Sequence, residues 1–288
     1  MIAIFKRELR GYLTSMIGFV FVAAILLLVA FYFFMYNLYV GYPSFSNALT
    51  GTTFILMLVI PLLTMRSFAE ERHAKTDQLL MTYPVSVTRI VAGKFLSMAF
   101  LLFVTCLICA VCPMIIDRFG TVNYTAEYGA LLMYFLMGCC YIAMGMFISS
   151  LTESQIIAAV ISYAVFIVLF LASSIGQTIP NEGYVSLIAF LILAVVIAVI
   201  VFTQTKSWLV TLISFVVIAG AIGFAYWKMP VKFEGLFGEY FSKISFAEGF
   251  RKAANYYIIS LPSVVTYLSV ILFFCFLTVQ SVQKRRWA

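Results

Sequence analysis

Residues 66–94 read RSFAEERHAKTDQLLMTYPVSVTRIVAGK, and this stretch decides the fold. It gathers Arg66, Glu70, Glu71, Arg72, Lys75, Asp77, Arg89 and Lys94, with His73, between two apolar runs long enough to cross a bilayer. Around it the chain is oily: of 288 residues, 64% are hydrophobic and 10% charged. A soluble domain carries roughly 25% charged residues, so this one could not cover its surface with polar groups. The mean hydropathy of +1.10 agrees. The fold class is therefore an all-α polytopic membrane protein, since the short alternating segments of a transmembrane barrel are absent.

Outward from that stretch, eight spans are expected. Met1 to Thr14 carries Ile2, Phe5, Leu9, Tyr12 and Leu13 on one helical face, with Lys6, Arg7, Glu8 and Arg10 largely opposite. That is the pattern of a helix lying in the membrane interface, and its apolar continuation is too long for a cleavable signal. Spans follow at about 15–39, 52–68, 95–116, 128–151, 155–174, 185–202, 208–226 and 262–282, with Pro61 expected to kink the second. Residues 227–261 are too charged to span and read as short amphipathic helices lying on the outer surface or dipping into it. The whole of 1–288 reads as one transmembrane domain.

Sidedness follows from Lys and Arg in short loops. With the N-terminus inside, the cytoplasmic segments hold Lys6, Arg7, Arg10, Arg66, Arg72, Lys75, Arg89, Lys94, Lys206, Lys284, Arg285 and Arg286, and the short outer loops only Arg118. Both termini are expected to be cytoplasmic. The net charge of +7 has the same origin, and nucleic-acid binding is not expected.

Little in the chain could carry chemistry. His73 is the only histidine, and all six cysteines lie in apolar runs, so neither a metal centre nor a disulfide framework is expected. Acidic residues are confined to loops and helix ends, which leaves no visible proton relay. Gly93–Lys94 is followed by Phe95, and Thr88 stands where a phosphate loop needs its first glycine. No catalytic residue and no cofactor is expected in this chain.

Within residues 66–94, Ser67 to Met81 is helix-compatible, and Pro84 pushes Tyr83 out of helical conformation. Leu79, Leu80, Met81, Tyr83 and Val85 make an apolar flank suited to a partner's groove. An ordinary solvated loop with snorkelling cations fits the same residues.

The stretch resembles the first cytoplasmic loop of bacterial ABC exporter permeases of the ABC-2 type, particularly the gliding-motility-type subfamily. The resemblance rests on Phe68, Glu70, Glu71, Arg72, Thr76, Leu79, Leu80, Pro84, Val85, Gly93 and Lys94. Residues 145–160 are similar to that family's turn between spans four and five, and 266–287 to its last span and basic-tryptophan tail. Many members carry Gly-Thr where this chain has Lys75–Thr76, and a glutamate at Gln78. The resemblance implies the ABC-2-type permease fold: a six-span core, here with an added hairpin at 185–226, and an interfacial elbow helix at 1–14. It implies a permease dimer, homomeric or with a homologous permease, bound to two cytoplasmic ABC ATPase subunits that hold ATP and Mg, in the bacterial plasma (inner) membrane. An extracytoplasmic accessory protein is compatible with it.

The coupling loop would span 70–90, with the ATPase contact on Glu70, Glu71, Arg72, Thr76, Asp77, Gln78, Leu79, Leu80, Pro84 and Val85. Thr152 and Glu153 would add a smaller contact. Phe54, Met57, Ser162, Tyr163 and Phe166 are the candidates for a dimer interface and translocation path. Such a subunit would couple ATP hydrolysis to outward substrate movement; the alternative is a membrane anchor that passes ATPase force to an envelope complex without moving a solute.

Overall fold

The computed structural model describes residues 1–76, 86–178, 245–256 and 260–286, with scattered positions between 183 and 238. The helices described continuously are α1 (Ile2–Thr14), α2 (Met16–Phe33, extended by a π-helical turn Phe34–Tyr39), α3 (Phe45–Thr64), α4 (Arg66–His73), α5 (Val87–Cys109), α6 (Cys112–Ile116), α7 (Tyr124–Leu151), α8 (Gln155–Thr178), α9 (Phe246–Tyr256) and α10 (Leu261–Arg286). Among the described residues, six helical stretches are long and apolar enough to span a membrane: 16–39, 45–73, 87–116, 124–151, 155–176 and 261–284. The two spans expected at 185–202 and 208–226 fall largely outside the described residues.

The chain divides into two compact units, one of residues 1–168 with 246–288 and one of residues 169–245. In the second, Gly238 lies so close to the Gly176 carbonyl that an added Cβ would meet it at 2.6 Å. In the first, α7 is the central element and packs against α3, α4, α5, α9 and α10. Tyr134 and Tyr141 of α7 are buried, and Phe166 of α8 closes on Tyr141 with ring centroids 4.9 Å apart. Tyr134, Tyr141, Tyr267, Phe45, Phe166 and Phe250 are among the largest fully buried side chains, rigid rings that fill space between helices.

Two helix boundaries correct the sequence reading. The second span begins at Phe45, several residues before the expected start, so the loop before it is short. Its polar residues enter the bundle satisfied: Thr50 donates to Ser46 O (2.9 Å) and Thr52 to Leu49 O (2.8 Å). At the other end α3 stops at Thr64, Met65 interrupts it, and α4 continues as a separate short helix. Pro61 prepares this break by withdrawing an N–H from the helical ladder.

One hydroxyl from α7 holds the break in shape. Ser149 Oγ accepts the backbone N–H groups of Phe68 and Ala69, both at 3.2 Å, and donates to the Met65 carbonyl at 3.0 Å. One turn earlier, Gly145 lets Thr64 approach: an added Cβ would stand 2.3 Å from Thr64 Oγ1. The stretch 145–151 thus fixes the direction in which α4 leaves the bundle.

Candidate functional site

The candidate site is built where α1, α4 and the first turns of α5 meet. α1 lies beside α5 because Gly93 leaves room for Ile4, whose Cγ2 would be 3.1 Å from an added Cβ. Phe5 then meets Phe100 edge-on at 5.8 Å. This docking brings Glu8 to Lys94.

Lys94 is 2% exposed. Its ammonium lies 2.9 Å from Glu71 Oε1 and 3.3 Å from Glu8 Oε1, and it donates to the Ser67 carbonyl at 2.7 Å. Those three partners use the three donors of an ammonium. The Phe68 ring, 5.2 Å away at its centroid, adds a cation–π contact. Arg7 closes the cluster, reaching Glu8 at 2.6 Å and Glu71 at 2.9 Å. Two cations and two carboxylates balance, so the buried charge is neutralised within the cluster. Burial works against the Arg7 charge, yet Glu8 and Glu71 prevail and raise its pKa. Burial, with Glu8 and Glu71 adding, pushes the Tyr12 phenol of the same helix far above its ordinary range, so it stays neutral. Beside it Arg66 grips Glu70 with two parallel bonds, Nε–Oε2 at 2.5 Å and Nη2–Oε1 at 2.6 Å.

The cluster ties three elements that are remote in sequence. α1 cannot shift against α4 or α5 without pulling Glu8 or Glu71 from the buried ammonium. The contacts thus tie α1, the end of α4 and the start of α5 to one another.

A family model described as ABC-2 family transporter protein matches residues 39–191, more than half of the chain. The chain belongs to the ABC-2 transporter family. No curated protein gives a significant match. As an ABC-2 membrane component it is a multi-pass membrane protein of a kind that works with ABC ATPases and is typically non-catalytic itself. The matched ABC-2 region runs from α3 to α8 and includes Glu71 and Lys94, whereas Glu8 lies outside it.

Within this ABC-2 domain, α4 ends earlier than its helix-compatible sequence suggests. Thr76 N–H bonds Glu71 O (2.9 Å) and Lys75 N–H bonds Arg72 O (3.0 Å), a Schellman closure with Lys75 in the left-handed region at φ 54°. The expected helix from Ser67 to Met81 is therefore interrupted at His73. Glycine is favoured at such a position, because it lacks the Cβ that a left-handed conformation crowds. Lys75→Gly is expected to raise stability by about 1 kcal/mol, the cost of the left-handed conformation for a residue with a Cβ; thermal unfolding in detergent reads it.

The expected coupling residues separate into three groups. Glu71 turns inward to Lys94, Glu70 pairs with Arg66, and Arg72 is buried, so the acidic start of the loop serves the fold of α4. Thr76 is exposed, as is Glu153, in the turn that Ser154 closes by accepting Ile157 N–H at 3.5 Å. Thr152 is half-buried in the same turn. Asp77, Gln78, Leu79, Leu80, Pro84 and Val85 lie outside the described residues.

Of the dimer and path candidates, Met57, Ser162 and Phe166 face the chain's own interior, at most 1% exposed. Of these five, Phe54 and Tyr163 keep accessible surface. Sequence reasoning assigned no contact to Glu8, Lys94 or Ser149. A lone acid on a cationic interfacial helix was the one signal available for Glu8.

Proposed function

We propose that the chain is the permease subunit of an ATP-driven exporter of the gliding-motility-type ABC-2 subfamily, working as a permease dimer in the bacterial inner membrane. Both termini and α4 lie on the cytoplasmic side, where the Lys and Arg of the short loops concentrate. Two further spans at 185–202 and 208–226 extend the six-span core without changing sidedness. ATP and Mg are held by two separate ATPase subunits.

One observation carries the reading. α4 and its Schellman closure carry the chain past the span and are locked to α1 and α5 through buried Lys94. A push on residues 76–85 by a closing ATPase pair would therefore reach three membrane elements at once, which is what switching access between two sides requires. Docking itself falls to the apolar flank at Leu79 and Leu80, with Thr152 and Glu153 as a smaller contact, because Glu70 and Glu71 are engaged inside the chain.

Replacing Leu79 and Leu80 together by aspartate is expected to abolish co-purification with the ATPase while leaving the permease stable. Retention of the ATPase by this double variant, with normal ATP hydrolysis, would refute docking at this flank. Stimulation of that hydrolysis by a solute is the outcome for an exporter; stimulation by a partner protein alone would make the chain a force-transmitting anchor.

A further inference from the structure

The opposite end of the bundle holds a second buried polar junction. α3 and α7 both run from it to the α4 end, a distance of about 30 Å along a 20-residue helix. Glu127, in the first turn of α7, is 2% exposed. The sequence reading placed it in a polar loop; in the fold its Oε2 accepts the backbone N–H of Ser46 at 2.8 Å. Ser44, the N-cap of α3, makes no side-chain capping bond, so a carboxylate from another helix satisfies this N-terminus.

Ser46 also reaches the other way. Its hydroxyl donates to the Ala254 carbonyl at 3.0 Å, in the last turn of α9, where helical carbonyls lack partners. Asn37, on the π-helical turn after α2, donates to the Ser44 and Tyr42 carbonyls, both at 2.8 Å. Four helix termini converge on Glu127 and Ser46.

What the junction holds is a wedge. α9 buries Phe246, Ala247, Phe250, Ala253 and Ala254 within the bundle. Phe250 meets Tyr134 edge-on at 5.6 Å, Phe246 meets Tyr141 at 5.8 Å, and the Tyr267 hydroxyl donates to the Phe246 carbonyl. Tyr141 lies fourteen residues beyond Glu127, about 21 Å along α7, so the start of α9 reaches deep between the spans. Its other face carries exposed Arg251 and Lys252, with Lys252 paired to Glu248 at 2.8 Å. An apolar face opposite a cationic one is also the pattern of a helix that lies flat in the membrane interface. Ser46 supplies a polar tie at the C-terminal end of α9 in its place between the spans.

We propose that Glu127 and Ser46 form a latch that keeps α9 seated, and that breaking it frees α9 to open the bundle at this end. Glu127 acts as a positioning residue: it fixes the start of α3, which aims the Ser46 hydroxyl at Ala254. In the exporter reading, on which the transport role of this latch rests, this end is the outer one.

The test places a cysteine at buried Ala253 in the otherwise native chain, in complex with its ATPase. Reaction with a membrane-impermeant maleimide added from outside is measured above that of the parent. Labelling is expected to be slow in this background and about tenfold faster with Glu127→Ala, matching loss of a buried capping bond. Glu127→Gln keeps an acceptor for the Ser46 N–H and should stay slow, a rescue that general loosening of the bundle would not show. Ser46→Ala removes the hydroxyl's bonds to the Ala254 carbonyl and to the Ser44 hydroxyl but keeps the backbone N–H that Glu127 holds, and it should also accelerate labelling, which decides the matter if Glu127→Ala fails to fold. Rates within twofold of background in folded Glu127→Ala and Ser46→Ala would overturn the latch. Acceleration by both variants without any rise during ATP turnover would uphold the latch and count against the exporter reading.

Discussion

Lys94→Met is expected to destabilise the permease by about 3–5 kcal/mol, the range for removing one partner of a buried charge cluster. The ammonium is 2% exposed and holds Glu8, Glu71 and the Ser67 carbonyl together. Methionine fills the volume but leaves two carboxylates to share Arg7, so the net charge of the cluster falls from zero to −1. The expected result is a lower melting temperature and loss of ATPase stimulation, because α1, α4 and α5 no longer move together. Exchanging charges, with Lys94→Glu and Glu71→Lys in one chain, restores the balance of two cations and two carboxylates and the 71–94 pair, while Arg7 and Glu8 then face like charges. That double variant should recover part of the stability that either single variant loses. A charge exchange no better than the sum of its single changes would show that the ion contacts do not couple the helices.

Gly145→Ala should be nearly as severe, at about 1–3 kcal/mol for overpacking a tight contact. The new Cβ would stand 2.3 Å from Thr64 Oγ1 and 2.9 Å from Thr64 Cβ. Thr64 cannot easily turn away, since its hydroxyl is bonded to the Ile60 carbonyl at 3.2 Å. α7 must therefore move off α3, carrying Ser149 one turn later away from Phe68, Ala69 and Met65. The functional loss should exceed that expected from stability alone, because Ser149 sets the direction of α4. Adding Thr64→Ala removes the closest atom but not the Cβ contact, so partial recovery of stability and of ATPase coupling is the expected outcome. Unchanged unfolding and unchanged hydrolysis in Gly145→Ala would contradict the packing at this break.

The membrane class and most spans were legible in the sequence, because long apolar runs have few alternatives. The early start of α3 was not, since Ser46 and Thr50 precede the start expected at about residue 52, and only the Thr50 hydroxyl bonded to the Ser46 carbonyl shows a helix already running there. The end of α4 was hidden for a different reason: lysine is an ordinary helix former, and nothing in the sequence marks Lys75 as a left-handed residue. The charge cluster could not be read at all. Glu8 and Lys94 are 86 residues apart, and no local pattern pairs them. Glu127 looked like a loop acid because its partner is a backbone amide 81 residues away. Polar residues that close long-range contacts carry no periodic signature, whereas apolar ones announce their helix.

The central claim is that ATPase energy enters at the chain segment following α4. A photoreactive amino acid at Thr76 or Leu79, irradiated in cells, tests it directly, with the same residue at exposed Gly120 on the opposite end as control. The account predicts a covalent adduct with a nucleotide-binding ATPase subunit from 76 and 79 and none from 120, identified by mass spectrometry. Adducts to lipid alone at 76 and 79, or an ATPase adduct from 120 instead, would contradict it.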